Sequence, residues 1–452
     1  MTGISELVSR PERARPERAA CLARAADDFG HIVTSRPLSV HTPRSTAEVQ
    51  DVLAHATARR LPVAARGGGY ALYGQGQVDG GCVVDMGALD EVRCLPAEGA
   101  LVAGAGARWS EVVRVALAEG LTPPVLPGHL GGSVGGVVTT GGFGGSSHRH
   151  GLVADQVREL EVVTGAGEAL TCSRDRHRDL FQAVLAGLGQ CALIVRVTLG
   201  LVPAPALVRH YRLYHQDPAA YFADQRRLCH DDRFSHVSGQ ARPAVGGTWE
   251  YVIEAVAPHS GRLPLDDALL IGGLAHDPDT EEIEDLSYAE FLRRPDRDER
   301  LLRVTGEWTR PHPWLTLLLP EETAVSLVPA VLADADQHGL RTCGAVQLRP
   351  LDGAVLRAPL LRRPPGERLC LLSLMRTARP RDPDGVRRLV AANRAVYERA
   401  RDSGRVLYPA GAVPMTPEDW RAHFGHAYEG LARAKGQYDP YGILTRGYGL
   451  WR

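Results

Sequence analysis

Lysine is almost missing from this chain. Of its 52 basic residues only Lys435 is a lysine, and with abundant Ala, Gly and Pro this reads as coding pressure from a GC-rich genome. Neither sign of charge is in excess. A formal net charge of −1 gives no basis for a sequence-wide affinity for nucleic acid or an anionic membrane. The eight cysteines contain no CxxC pair and no metal-ligand spacing, which argues against a resident metal and for a reduced, cytoplasmic protein. No apolar run approaches the ~18 residues of a membrane span, and the N-terminal MTGISELVSRPERARPERAAC has no apolar core of signal-peptide length. The expected partner is a small molecule, with no nucleic acid and no membrane; oligomeric state is left open.

What is present is length and glycine. At 452 residues the chain has room for two or three domains. Residues 38 to 205 read as short β runs alternating with helices. A helix over Ser45 to Arg59 opens on a capping-box start, and strands are expected at Pro62 to Ala65, Cys82 to Asp85, Ala100 to Ala103, Glu159 to Thr164 and Ala192 to Leu199, with a helix at Trp109 to Glu119. This is a mixed α+β pattern and not a parallel βαβ array. From about residue 206 the glycine clusters thin and longer segments, Pro218 to Cys229 and Asp384 to Arg401, look helical, so a second domain with its own sheet is expected there. The acidic stretch Asp277 to Asp285 and the run Arg293 to Arg300 read as solvated loops or helix surfaces.

Three sites carry chemistry. Leu61 to Tyr70 places three consecutive glycines directly after a short β run, so that several N–H groups can converge on a phosphate pair. Alone this is weak, because a triple glycine between strands is more often simply a turn. Gly128 to Gly151 holds ten glycines in 24 residues and reads as a surface where backbone meets ligand, with a tight β-turn crossing as the structural alternative. The third site is Leu160 to Glu168, followed by Asp179-Leu-Phe and Gly187-Leu-Gly-Gln190 before another apolar strand.

Taken in order, Ala65-Arg66-Gly67-Gly68-Gly69-Tyr70, Ser133-Val134-Gly135-Gly136 running on to Arg149-His150-Gly151, Glu161 to Gly165, and Asp179-Leu180-Phe181 through Gly187 to Gln190 resemble the FAD-binding domain of cytokinin dehydrogenases, within the vanillyl-alcohol-oxidase and berberine-bridge-enzyme (PCMH-type) group. Pro311 to Leu315, Trp420 to Gly425 and Tyr438-Asp439-Pro440 through Gly447 resemble the later motifs. The resemblance implies an α+β, two-domain fold. After an N-terminal extension (1–34) it gives an FAD-binding domain (35–205), a substrate domain on an antiparallel sheet flanked by helices (206–405), and a C-terminal segment (406–452) returning to the FAD domain. By position, the backbone of Arg66, Gly67, Gly68, Gly69, Tyr70 and Ala71 would cradle the pyrophosphate, with Gln75 nearby. Ser133, Gly135, Gly136, Thr139, Thr140, Gly142 and Gly145 would follow the cofactor, Ile194 would lie on the adenine side, and Gly447 and Tyr448 would come near the ring.

Two departures matter. Such enzymes attach FAD through a histidine where this chain has Tyr70, and berberine-bridge-type enzymes can add a cysteine link where it has Gly131-Gly132; dissociable FAD is expected. The aspartate that serves as the family's base corresponds to Gly128, which makes cytokinin an unexpected substrate. Replacement acid-base groups are His129, Tyr70, Tyr448 and Glu307, with Tyr251 as a further pocket residue; His148 and His150 lie in the glycine block, and the resemblance implies a structural role for the His150 position. Two functions stay open: an FAD-dependent oxidoreductase of a small metabolite in bacterial secondary metabolism, or a redox-neutral cyclase or cycloaddition catalyst of natural-product assembly that uses FAD as a structural cofactor.

Overall fold

The computed structural model describes residues 14–261, 265–333, 340, 345–402 and 404–451. Ser45 caps the helix Thr46–Ala58 by accepting the Glu48 N–H at 3.2 Å, while the Glu48 carboxylate reaches back to the Arg44 N–H at 2.8 Å. Val49, Leu53 and Ala56 then fall on one face of that helix and are fully buried. Strands Ser39–His41, Cys82–Asp85 and Val63–Arg66 form a small parallel sheet with Cys82–Asp85 in the centre. Beside it lies an antiparallel sheet in the order Val92–Leu95, Ala100–Gly104, Ala192–Gly200, Val157–Thr164, Ala169–Ser173. The first half is thus α+β, with the strands and the helix Trp109–Ala118 close to where sequence pattern puts them.

The second half is one eight-stranded antiparallel sheet, ordered Glu282–Ser287, Leu207–His215, Trp249–His259, His236–Pro243, Ala345–Asp352, Arg368–Met375, Leu315–Pro320, Val406–Leu407. Alternation along each strand sorts its two faces. Val237, Val346 and Leu348 point to the helices Pro218–His230, Glu321–Ala333 and Pro383–Asp402 and share a core with Tyr221, Val328 and Tyr397. Ser238, Gln240, Glu254, Gln347 and Arg349 point the other way, toward the first half. Two expectations change here. Glu282–Ser287 is an edge strand, not a loop, because Arg209 holds Asp285 at 2.8 Å and Arg212 holds Glu282 across the strand pair. The Arg293 to Arg300 run enters the helix Arg294–Val304, and two of its side chains face inward: Arg294 pairs with Glu254 at 2.9 Å and Glu299 with His129 at 2.8 Å.

Both ends of the chain build the first half. The Val63 N–H donates to the Ile443 carbonyl and the Thr445 N–H to the Val63 carbonyl, each at 2.8 Å, adding a parallel bridge to the strand that leads into the glycine loop. Trp420, Phe424, Leu431 and Leu444 complete the first core. Upstream, the Phe29 N–H donates to Gly69 O and the Gly30 N–H to Ala71 O. Residues 29 and 30 are therefore stitched to the glycine loop. Among the described residues, no helix is long and apolar enough to cross a membrane.

Candidate active site

The loop after Val63–Arg66 and the short helix Val134–Thr140 enclose a cleft of about 280 Å³. Arg66, Gly67, Gly68, Gly69, Tyr70, Ala71 and Gln75 line one side, Ser133, Gly135, Gly136, Thr139 and Thr140 another, and Ile194 and Tyr448 complete the wall. Close approach explains the glycines. A Cβ at Gly67 would lie 1.9 Å from Ser133 Oγ, one at Gly135 would lie 2.9 Å from Ala105 Cβ, and Gly69 has φ +79°. Gln75 folds the turn by accepting the Leu72 and Tyr73 N–H groups and donates to the Gly411 carbonyl at 3.2 Å.

The cleft fits FAD on its own donor set. Among the described residues, none of the five backbone amides from Gly67 to Ala71 finds a protein acceptor, and the Ser133 hydroxyl has no hydrogen-bond partner either. Buried amides are normally paired, so a run of free ones beside a cavity marks a site for an anion such as a diphosphate. Arg66 donates to the Asp27 carbonyl at 2.7 Å, which holds a guanidinium at the same wall.

Gly142 and Gly145 do not follow this cleft. Gly142 has φ +75° and donates its N–H to the Tyr408 hydroxyl at 3.2 Å, with Val137 and Val153 packed where a Cβ would stand. Gly145 is glycine to admit the ring of His236, whose atoms lie 2.1 to 2.3 Å from a Cβ built there. It lines a second cavity instead.

At the rim of the cleft, the Tyr70 ring packs against His129 with centroids 4.6 Å apart and meets Phe29 and Trp308. Burial pushes the Tyr70 phenol up, so it stays protonated at neutral pH. His129 lines neither cavity; its Nε2 is 2.8 Å from Glu299, which also holds Arg303. Glu307 also lies outside both cavities; its Oε1 pairs with Arg310 at 2.7 Å, and its buried Oε2 has no partner among the described residues. Tyr251 sits in the helix-covered core against Tyr221, and buried His148, pushed down to about 4 by desolvation, bonds the Gly145 carbonyl. Of the proposed acid-base groups, only Tyr70 and Tyr448 face the cleft; burial pushes the Tyr448 phenol up as well.

The second cavity, about 570 Å³, lies between residues 122–130 and the inward face of the eight-stranded sheet. Gly128 and Leu130 line it, while Gly132 and Ser133 line the first cleft, so one short segment borders both. The Arg349 guanidinium fills the space beside Gly128, its Nη2 2.7 Å from where a Cβ would be. Tyr408 lines neither but lies between them: it receives the Gly142 N–H, adjoins Thr140 of the first cleft and lies in the field of Arg349. Arg349, Tyr408, Gln240 and Gln347 escaped the sequence reading; the polar members of the alternating runs His236–Gln240 and Ala345–Arg349 were the available signal.

Asp28 offers a pH test of how the loop is held. Its buried carboxylate accepts the Gly74 N–H at 2.8 Å and the Gly30 N–H at 3.1 Å, yet desolvation outweighs these bonds and raises its pKa from 3.8 to about 6. Between those values the folded protein binds the extra proton, so stability should fall as pH rises from about 4 to 6, by up to about 3 kcal/mol. In Asp28→Asn that slope should vanish in urea unfolding; an unchanged slope would assign it elsewhere.

Comparison with known proteins agrees with this geometry. Residues 37–173 match the FAD binding domain family, and residues 251–451 match the family described as "Cytokinin dehydrogenase 1, FAD and cytokinin binding". The chain is 40% identical over 428 residues to "Uncharacterized oxidoreductase ORF5 in fasciation locus" of Rhodococcoides fascians, covering 94% of this chain and 96% of that protein. It is 32% identical over 480 residues to cytokinin dehydrogenase 6 of Oryza sativa subsp. japonica (94% and 89% covered), and 28% over 463 residues to cytokinin dehydrogenase 2 of Arabidopsis thaliana (95% and 92%). An amide-lined cleft and relatives matched along nearly their whole length lead to one conclusion: the chain is an FAD-dependent enzyme belonging to the PCMH-type oxidoreductases that include the cytokinin dehydrogenases.

Proposed function

We propose that this oxidoreductase holds FAD without a covalent link and oxidises a small metabolite other than a cytokinin, presented to the flavin from the second cavity. The observation that carries the reading is the composition of the cleft wall: no histidine or cysteine lines it among the described residues, and Tyr70 occupies the loop position. Cys191, next to the wall, is fully buried and its thiol is pushed up to about 12, so it is no nucleophile at neutral pH. The amides of Gly67 to Ala71 and the Ser133 hydroxyl would hold the diphosphate. Bound FAD would supply the hydride acceptor. Arg349 beside Gly128 argues against cytokinin, since a cation stands where the resemblance implies a carboxylate base. Tyr448, which lines the cleft and is kept protonated by burial, is a donor and not a base, so it orients the substrate by hydrogen bonding.

The test has two steps. Acid-precipitated protein is expected to release its yellow colour to the supernatant; colour retained in the pellet overturns the dissociable flavin. Anaerobic addition of a turned-over metabolite is expected to bleach the visible flavin band. Product of unchanged mass with an unchanged band would replace oxidation by redox-neutral catalysis.

A further inference from the structure

We infer that the second cavity is built for a substrate bearing a carboxylate, gripped by the Arg349 guanidinium beside Gly128. This rests on the reading above that the second cavity delivers substrate to the flavin.

Arg349 projects from the strand Ala345–Asp352 on the face turned away from the helices, and it opens onto this cavity. No hydrogen bond or ion pair joins its guanidinium to any described residue. The carboxylate whose field it feels, Glu254, is already tied to Arg294 at 2.9 Å. The interior wall therefore carries two guanidiniums against one carboxylate. The remaining titratable groups do not restore balance. His236 is held neutral by burial and the two arginines, His150 is pushed down by desolvation, the Tyr288 and Tyr408 phenols are pushed up, and Asp298 is exposed at the rim. Arg349 is half-buried, and a cation held in a cavity wall without a partner is costly, so the site is complete only with an anion.

The excess is a single positive charge, which matches a monoanion better than a phosphate dianion, and the planar fork of arginine fits a carboxylate through two parallel bonds. Three neutral side chains on the same sheet face, Ser238, Gln240 and Gln347, are likewise without partners, and Gln240 and Gln347 stand in register on adjacent strands. They suit a polar group next to the carboxylate. Pro123, Leu126 and Leu130 give the opposite wall an apolar surface. The substrate so described is an amphipathic organic acid with its apolar body between that wall and the sheet.

The test uses two probes of nearly equal shape, indole-3-acetate and indole-3-acetamide, titrated into the FAD-loaded enzyme by calorimetry while the flavin band is recorded. The acetate should bind about tenfold or more tightly than the amide, and shift the flavin band. Arg349→Gln should erase the preference, and Arg349→Lys should keep part of it. The flavin-free Arg349→Gln protein should melt no lower than the wild type, because it loses an unpaired cation; a lower melting temperature would make Arg349 a structural residue. Equal binding of the two probes, or no binding of either, overturns the inference. If the Arg349-dependent preference appears while the flavin band stays still, the carboxylate site stands and it is the placement of substrate against the flavin that fails.

Discussion

Gly67→Ala is expected to empty the enzyme of flavin while leaving it folded. The added methyl group would lie 1.9 Å from Ser133 Oγ and 2.8 Å from Ser133 Cβ. Rotating the serine hydroxyl relieves the first contact but not the second, so the loop itself must move. Overpacking of this kind costs about 1–3 kcal/mol. The loop can escape it by swinging off the short helix Val134–Thr140, which spoils the convergence of the amides from Gly67 to Ala71 on one point. If that cost falls on the bound state, FAD affinity drops by roughly 5- to 150-fold. The ratio of flavin to protein absorbance after gel filtration reads this directly. Ser133→Gly in the same chain removes the obstructing atoms and should recover part of the binding, because two contacting sites are not additive. Full flavin content in Gly67→Ala would show that the cofactor does not depend on this approach.

That loop was legible in the sequence because everything it needs is local. A short strand, three glycines and Gln75 lie within about fifteen residues; backbone freedom made the turn readable, and the later glycine blocks in order made it a cofactor loop. The capped helix at Ser45 and the strands at Cys82 and Ala192 were readable for the same reason. The second cavity was not. Its floor depends on Gln240 facing Gln347 and Ser238 facing Glu254, pairs set by strand register between segments far apart in the chain. A period of two shows which side chains share a face but not what that face meets. The same limit hid what two glycines meet. Gly142 and Gly145 stood in a block whose first half does serve the flavin cleft, yet the need for Gly145 comes from His236, a ring ninety-one positions away. Glu307 lines neither cavity, and one of its oxygens pairs with Arg310 three residues on, a placement that spacing alone does not show.

The largest loss of stability is expected from Lys435→Met. Lys435 is buried and its ammonium spends each of its three N–H groups on a separate acceptor: the Asp439 carboxylate at 2.6 Å, the Gln190 carbonyl at 2.8 Å and the Leu444 carbonyl at 3.2 Å. The fully buried Asp439 side chain in turn accepts the Ile443 and Leu444 N–H groups, and Gly165 is glycine because a Cβ there would lie 2.3 Å from its Oδ1. Methionine keeps the volume but leaves a buried carboxylate without its cation, which costs about 3–5 kcal/mol. In a domain of this size that is roughly a 10 °C fall in melting temperature. Because residues 443–445 are bonded to Val63, the strand feeding the glycine loop should loosen too, and flavin should dissociate before the second half unfolds. Adding Asp439→Asn should return part of the loss, since it removes the orphaned charge. Lys435→Arg should not rescue it, because a planar fork cannot place three N–H groups on three acceptors around one nitrogen. A melting temperature within about 2 °C of wild type for Lys435→Met would refute this account. The same geometry explains why a chain that uses arginine for every other basic residue keeps its one lysine at this position.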